Sequence, residues 1–275
     1  MTENMIIGGK NFPIGERVYL MGILNVTPDS FSDGGNFNCL DKALFHAEEM
    51  LLQGADLLDI GGESTRPGHE KISDEEEIER VAPVIERLKR EFDTPVSIDT
   101  YKSKVARAAL MAGADMVNDI WGLRYDEKMA ALVKEFDVPV CLMHNKEKPE
   151  YIDFIPEVLK ELSECVELAK KAGISEDKLI VDPGIGFGKT LEMNLACMKH
   201  LEEFLTLGLP VLLGTSRKSM IGLTLDLPVT EREEGTIATS VLGVMKGCHF
   251  VRVHNVEANK RAIRMTEAIL HEKTR

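Results

Sequence analysis

One pattern constrains this chain more than any other. Short apolar segments recur along it, separated by stretches of helical periodicity. The segments are Val18–Val26, Leu57–Gly61, Val96–Ile98, Met116–Ile120, Pro139–Met143, Leu179–Val181, Pro210–Leu213 and Phe250–Val253. All eight are nearly continuous apolar runs, as strands buried on both faces must be. Helical periodicity fills about 41–53, 75–91, 102–112, 126–136, 156–172, 191–206, 231–246 and 256–271. Pro83 falls inside the second stretch and predicts a kink or a late start there. Ser73-Asp-Glu-Glu76 has the form of a capping box. Gly54, Gly113, Gly173, Gly208 and Gly247 each stand where a helix should end. Gly54-Ala-Asp56 and Gly113-Ala-Asp115 repeat one helix-to-strand turn. Eight strand–helix units predict an α/β chain folded as a single (β/α)8 TIM barrel over residues 18–275. An open doubly wound sheet is the alternative. That fold usually begins with a Gly-rich turn, whereas the first strand here runs into Asn25-Val-Thr-Pro28. Residues 1–17, with Gly8-Gly9 and Pro13, predict a β-hairpin extension closing the barrel bottom.

Composition narrows the function classes. With 44% hydrophobic and 29% charged residues, the chain is neither disordered nor low-complexity. No apolar run approaches a membrane-spanning length, and the first residues show no signal-peptide pattern. Five Cys, an odd number without Cys-x-x-Cys spacing, predict reduced thiols and a cytoplasmic setting. A net charge of -13 argues against nucleic-acid or anionic-membrane partners. An anionic small molecule stays open if cations gather locally.

In such a barrel the chemistry sits at the C-terminal strand ends. Those ends carry Asn25, Asp59, Asp99, Asn118-Asp119, His144-Asn145, Asp182, Thr215-Ser-Arg-Lys218, Arg252 and His254. A single polar residue there reads as a cap or a rim hydrogen bond; a full ring of them reads as a convergent polar site. Two connections, Thr27–Asn38 and Glu63–Ile72, exceed the usual length and carry Phe31, Asp33, Thr65, Arg66 and Pro67. They have the composition of binding loops.

Two patterns mislead. Pro183-Gly-Ile-Gly-Phe-Gly-Lys-Thr190 resembles a phosphate-binding loop, but Pro183 stands where that motif needs glycine. Glu75 and Glu77 read as a solvated helix face complementing the dipole. No zinc-type cluster appears among seven scattered His. Mg2+, which takes few protein ligands, is compatible. Arg252 and His254, two apart on one strand, share a face. With Arg66, Arg217, Lys218 and the helix that Asn255 could cap, they point to a phosphate-bearing ligand.

These motifs resemble those of the dihydropteroate synthases. The resemblance rests on Met21-Gly-Ile-Leu-Asn-Val-Thr-Pro-Asp-Ser-Phe-Ser-Asp-Gly-Gly35 and Asp59-Ile-Gly-Gly-Glu-Ser-Thr-Arg-Pro-Gly68. Ser97–Lys102, Val117–Ile120, Asp182–Lys189, Gly214–Ser219 and Val251–His254 follow in the expected order. It covers about residues 18–270. It implies a transferase of folate biosynthesis, a target of sulfonamides. The reaction joins p-aminobenzoate to 6-hydroxymethyl-7,8-dihydropterin pyrophosphate by a dissociative displacement.

The same resemblance implies site roles. Thr65, Asp99, Asn118, Asp182, Phe187, Lys218 and Arg252 would meet the pterin. Asn25, Arg66 and His254 would hold the pyrophosphate, Asn25 also facing Mg2+. Phe31, Pro67 and Ser216 would form the aminobenzoate pocket. Asp33, Arg66, Lys218, Arg252 and His254 would be the catalytic set. His144 is expected to make a structural hydrogen bond; Asp59 and Glu63 are expected to position the second long loop. A homodimer with small-molecule substrates is implied. A methyltetrahydrofolate-binding methyltransferase would not need the Phe31 and Thr65-Arg-Pro67 loops, and a pterin carrier predicts gaps among the cations that are not seen.

Overall fold

The computed structural model describes residues 3–27, 36–63 and 71–272, with 36–39 as backbone only. The chain opens with a hairpin of β1 (Asn4–Ile7) and β2 (Lys10–Pro13), antiparallel with Ile7 opposite Lys10. Its turn residues Gly8 and Gly9 have φ of 58° and 76°. Two successive positive φ angles make the tight hairpin turn that glycine permits and other residues resist.

Eight parallel strands follow: β3 (Tyr19–Asn25), β4 (Leu57–Gly61), β5 (Val96–Asp99), β6 (Met116–Asp119), β7 (Val140–Met143), β8 (Leu179–Asp182), β9 (Leu212–Leu213) and β10 (Phe250–Val253). They pair in the order β8-β7-β6-β5-β4-β3-β10-β9. A parallel bridge from Val181 to Val211 joins the two ends, so the sheet closes into the expected barrel.

Around it lie α1 (Asn36–Gln53), α2 (Asp74–Glu91), α3 (Ser103–Met111), α4 (Met129–Phe136), α5 (Phe154–Lys171), α6 (Leu191–Lys199), α7 (Ser219–Leu225), α8 (Glu233–Met245) and α9 (Val256–Leu270). Ser73 caps α2 by accepting the Glu76 N–H at 3.1 Å, and Asn255 caps α9 at Ala258. Helix α2 starts at Asp74 and runs through Pro83, so the proline does not delay it. Two differences from the sequence reading stand out. The stretch 191–206 is α6 followed by a 3-10 segment, Leu201–Leu207. Leu201, Phe204 and Leu207 recur every third residue, the period of that tighter helix. Helix α7 was not anticipated, because seven residues are too few to show a helical period.

The repeated Gly-Ala-Asp turn has a structural cause. Gly54 and Gly113 take φ of 100° and 109°, ending α1 and α3. The aspartate two residues on then grips the neighbouring strand. Asp56 Oδ2 accepts the Leu20 N–H at 2.8 Å, and Asp115 Oδ2 accepts the Val96 N–H at 2.8 Å.

Strand alternation sorts the barrel interior into layers. Tyr19, Met21, Leu57, Met116, Cys141, Ile180, Leu212 and Phe250 form an apolar lower layer, against which Met5, Ile7 and Phe12 of the hairpin pack. The outward residues, such as Leu20, Leu58, Ile98, Val117 and Val181, meet the helices. Two residues beyond the lower layer on each strand stand Ile23, Asp59, Asn118, Met143, Asp182, Gly214 and Arg252, with Asp99 on β5 at their level.

Candidate active site

A cavity of about 630 Å³ opens above that polar layer. Its walls carry Asn25, Asp99, Asn118, Asp182, Phe187, Ser216, Lys218, Arg252 and His254. The volume suits one medium-sized organic ligand or two small ones.

Buried charge organises the floor. Arg252 donates from Nε to Asp59 Oδ2 at 2.5 Å and from a terminal nitrogen to Asp99 Oδ2 at 2.6 Å. Asn118 Nδ2 donates to the same Asp59 oxygen at 3.0 Å. Asp59 is fully buried and Asp99 nearly so. Their other carboxylate oxygens have no hydrogen-bond partner among the described residues. Burial pushes the Asp99 carboxyl above its ordinary range, against the pull of the Arg252 guanidinium. On the facing wall, Asp182 Oδ1 accepts the Gly184 N–H at 2.7 Å. Lys218 Nζ donates to the Ile185 carbonyl at 2.6 Å and lies 4.8 Å from the centre of the Phe187 ring. Desolvation lowers the Lys218 ammonium to about 8 despite the nearby Asp182 carboxylate.

At the mouth, Ser216 and His254 meet. Ser216 Oγ accepts the His254 backbone N–H at 3.2 Å and stands 2.9 Å from its Nδ1. The hydroxyl has two lone pairs and one proton, so it can serve the backbone N–H and pair with Nδ1 in either direction.

The structure gathers Asn25, Asp99, Asn118, Asp182, Phe187, Ser216, Lys218, Arg252 and His254 around one cavity. Phe31, Asp33, Thr65, Arg66 and Pro67 lie outside the described residues. Several expectations need correction. Asp59, expected to position the second long loop, instead holds Arg252 and Asn118 in the floor. Its place in the inward alternation of β4 was the available signal. Glu77 is not solvated: it is buried and accepts from Lys102 Nζ at 2.8 Å, while Glu75 stays exposed. Asp119 turns away from the cavity to accept the Trp121 and Leu123 N–H groups, each at 2.8 Å. Arg232 lines the cavity wall from beyond α7, a contact no sequence signal announced. Glu63 does anchor the second connection. It accepts from Tyr101 at 2.7 Å, Lys102 at 2.6 Å and the Ile72 N–H at 3.1 Å, bridging the two flanks of residues 64–70.

The sequence profile of pterin binding enzymes matches residues 21–254. The chain belongs to this family. A dihydropteroate synthase from Clostridium beijerinckii is 58% identical over 267 residues, 97% of this chain and 99% of that protein. The structure of a dihydropteroate synthase from Clostridium difficile, solved in the presence of pteroic acid, superposes with a TM-score of 0.91 at 52% identity. That match covers 94% of this chain and 99% of the other. The Xanthomonas albilineans dihydropteroate synthase with 4-aminobenzoic acid superposes at 0.94 and 42% identity, covering 99% and 100%. The family's similarity therefore spans the whole barrel and its cavity-lining strand ends.

Proposed function

We infer that this chain is a transferase of folate biosynthesis that makes 7,8-dihydropteroate. It condenses 6-hydroxymethyl-7,8-dihydropterin pyrophosphate with p-aminobenzoate and releases pyrophosphate. One observation carries the reading. The buried Asp99 carboxylate, with one oxygen unfilled among the described residues, faces a cavity that also holds Asp182, Lys218 and Arg252. A pterin ring supplies adjacent N–H donors on one edge and acceptor atoms on the other. A carboxylate accepts such a donor pair in a charge-assisted, two-point contact. In this assignment Asp99, Asn118 and Asp182 take the donors and Lys218 gives to the acceptors. Phe187 and the planar Arg252 guanidinium flank the ring, and Thr65 borders it.

Asn25, Arg66 and His254 receive the pyrophosphate in this reading. The bond between the pterin methylene carbon and the pyrophosphate oxygen breaks first, and its electron pair leaves with pyrophosphate. Asp99 and Asp33 stabilise the resulting cation, which the ring delocalises. The aniline nitrogen then forms the new C–N bond and gives up a proton. Phe31, Pro67 and Ser216 orient that aniline and keep water from the cation. No side chain is a covalent nucleophile.

Mg2+ fits the donor chemistry. The described residues hold no group of three or more His, Cys, Asp or Glu side chains placed to share a metal. The Asn25 amide oxygen at the cavity wall is a hard neutral donor. Such a donor suits a cation that keeps waters and takes most other ligands from substrate phosphate. When bound, the ion neutralises charge on the departing pyrophosphate.

The homodimer and cytoplasmic setting belong to the same proposal. Exposed Met245 of α8 and Met265, Ile269 and Leu270 of α9 supply apolar surface for self-association. Cys141, Cys165, Cys197 and Cys248 are buried free thiols, in keeping with a reducing compartment.

The test is a product assay with the dihydropterin pyrophosphate, p-aminobenzoate and Mg2+. Equal release of dihydropteroate and pyrophosphate is expected, and loss of both when aminobenzoate is omitted or a chelator is added. Pterin binding without dihydropteroate formation would overturn the reading.

A further inference from the structure

Behind the cavity wall lies a second polar cluster whose members, Lys189, His144 and Glu161, do not line the cavity. Residues 183–188 form the turn after β8, which presents Phe187 to the cavity and the Ile185 carbonyl to Lys218. Lys189 closes this turn from behind. Its Nζ donates to the Gly184 and Phe187 carbonyls, each at 3.0 Å, and to His144 Nδ1 at 2.9 Å. Three protons meet three acceptors, so the ammonium is saturated. Two of those acceptors lie three residues apart on the backbone, pinning the turn at two points.

His144 is fully buried. An ammonium has no lone pair, so Nδ1 must be the acceptor and the ring proton must sit on Nε2. Nε2 stands 3.0 Å from Glu161 Oε2, where that proton is accepted. Burial and the surrounding Lys189, Arg124 and Lys146 charges hold the imidazole neutral, its pKa lowered to about 2. The turn also has no slack. A Cβ on Gly184 would lie 1.8 Å from the His144 carbonyl oxygen. Tyr151 donates to the Gly188 carbonyl at 2.8 Å, tying the turn to the same connection after β7.

We propose that Lys189 and His144 are positioning residues for the pterin half of the reaction. The Lys189–His144–Glu161 relay fixes the 183–188 turn, and through it Phe187 and Lys218. It does not serve the aminobenzoate half. The proposal rests on the functional reading above.

The experiment compares wild type, Lys189→Met, His144→Asn and His144→Gln. It measures KM for each substrate, and direct calorimetric affinity for the dihydropterin pyrophosphate. An asparagine amide oxygen falls near the Nδ1 position and can still accept from Lys189. Glutamine reaches toward Nε2 and keeps the Glu161 contact instead. Lys189→Met and His144→Gln are expected to raise the pterin KM and Kd by about tenfold or more, leaving aminobenzoate KM within about threefold. His144→Asn is expected to keep pterin affinity within about threefold. Equal shifts for both substrates, or identical behaviour of the two His144 variants, would overturn the proposal. If Lys189→Met does not fold, the His144 pair decides. If wild type binds pterin but forms no product, the function fails while the affinity comparison still decides the relay.

Discussion

Arg252 Nε lies 2.5 Å from Asp59 Oδ2, although 193 residues separate the two in the chain. The pair joins β4 and β10, the two strands that flank β3 in the closed barrel, and Asn118 shares the same oxygen. A buried cation held this way has little freedom to relax when a partner is removed. Asp59→Asn would leave Arg252 with Asp99 alone. Breaking a buried pair in this manner lowers stability by about 3 kcal/mol. We expect urea unfolding to show a loss of that order and calorimetry to show weakened pterin binding. Unchanged values in both would remove Asp59 from the floor of the site.

The pH dependence of pterin capture follows from Asp99 and Lys218. Burial raises the Asp99 carboxyl, so its acceptor form is lost as pH falls, earlier than for an ordinary aspartate. Burial lowers Lys218 to about 8, so its charge is lost as pH rises through that value. A bell-shaped kcat/KM is expected, with its basic limb near 8. Lys218→Ala should weaken pterin-pyrophosphate binding and remove that limb; retention of the limb would assign it to another group.

Gly184 takes φ of 70° where a Cβ would meet backbone. Gly184→Ala combines left-handed strain with that collision. Stability should fall by more than about 2 kcal/mol. Thermal unfolding measures this, and a Tm within a degree of wild type would show that the turn can open.

His249 Nδ1 accepts the Val211 N–H at 3.0 Å, and burial lowers its pKa from 6.5 to about 4. Between those values the unfolded chain binds a proton at His249 that the folded chain refuses. Stability from this group is therefore present above 6.5 and lost as pH falls toward 4, at up to about 1.4 kcal/mol per pH unit. Asp119, raised to about 6, contributes with the opposite sign, so a difference measurement is required. His249→Asn keeps an acceptor without the proton site. Its stability should fall less steeply than wild type between pH 6 and 4; parallel curves would show that His249 is not the titrating group.

The aminobenzoate assignment makes a separate claim. Phe31→Ala should raise KM for aminobenzoate far more than for the pterin, and sulfonamides should compete with aminobenzoate. Inhibition competitive with the pterin would contradict the division between the two pockets.

Much of the fold was legible because buried parallel strands leave a strong local mark. Runs such as Leu57–Gly61 are buried on both faces and largely apolar, and Gly54 and Gly113 mark helix ends by a backbone angle that glycine favours. The extra helix Ser219–Leu225 and the break after Lys199 were not legible, since short elements are fixed by packing rather than by period.

By itself the sequence determined which residues stand at strand ends, because alternation along a strand is a local property. It placed Asp99, Asn118, Asp182 and Arg252 on the barrel's upper rim before any contact was known. Only the tertiary structure decided how those groups divide their partners. Asp59 became the partner of Arg252, Glu77 was drawn inside by Lys102, and His144 was enlisted by Lys189. The physical reason is desolvation: once barrel closure removes water, each buried charge must find its partner across the chain, and no local pattern records which one.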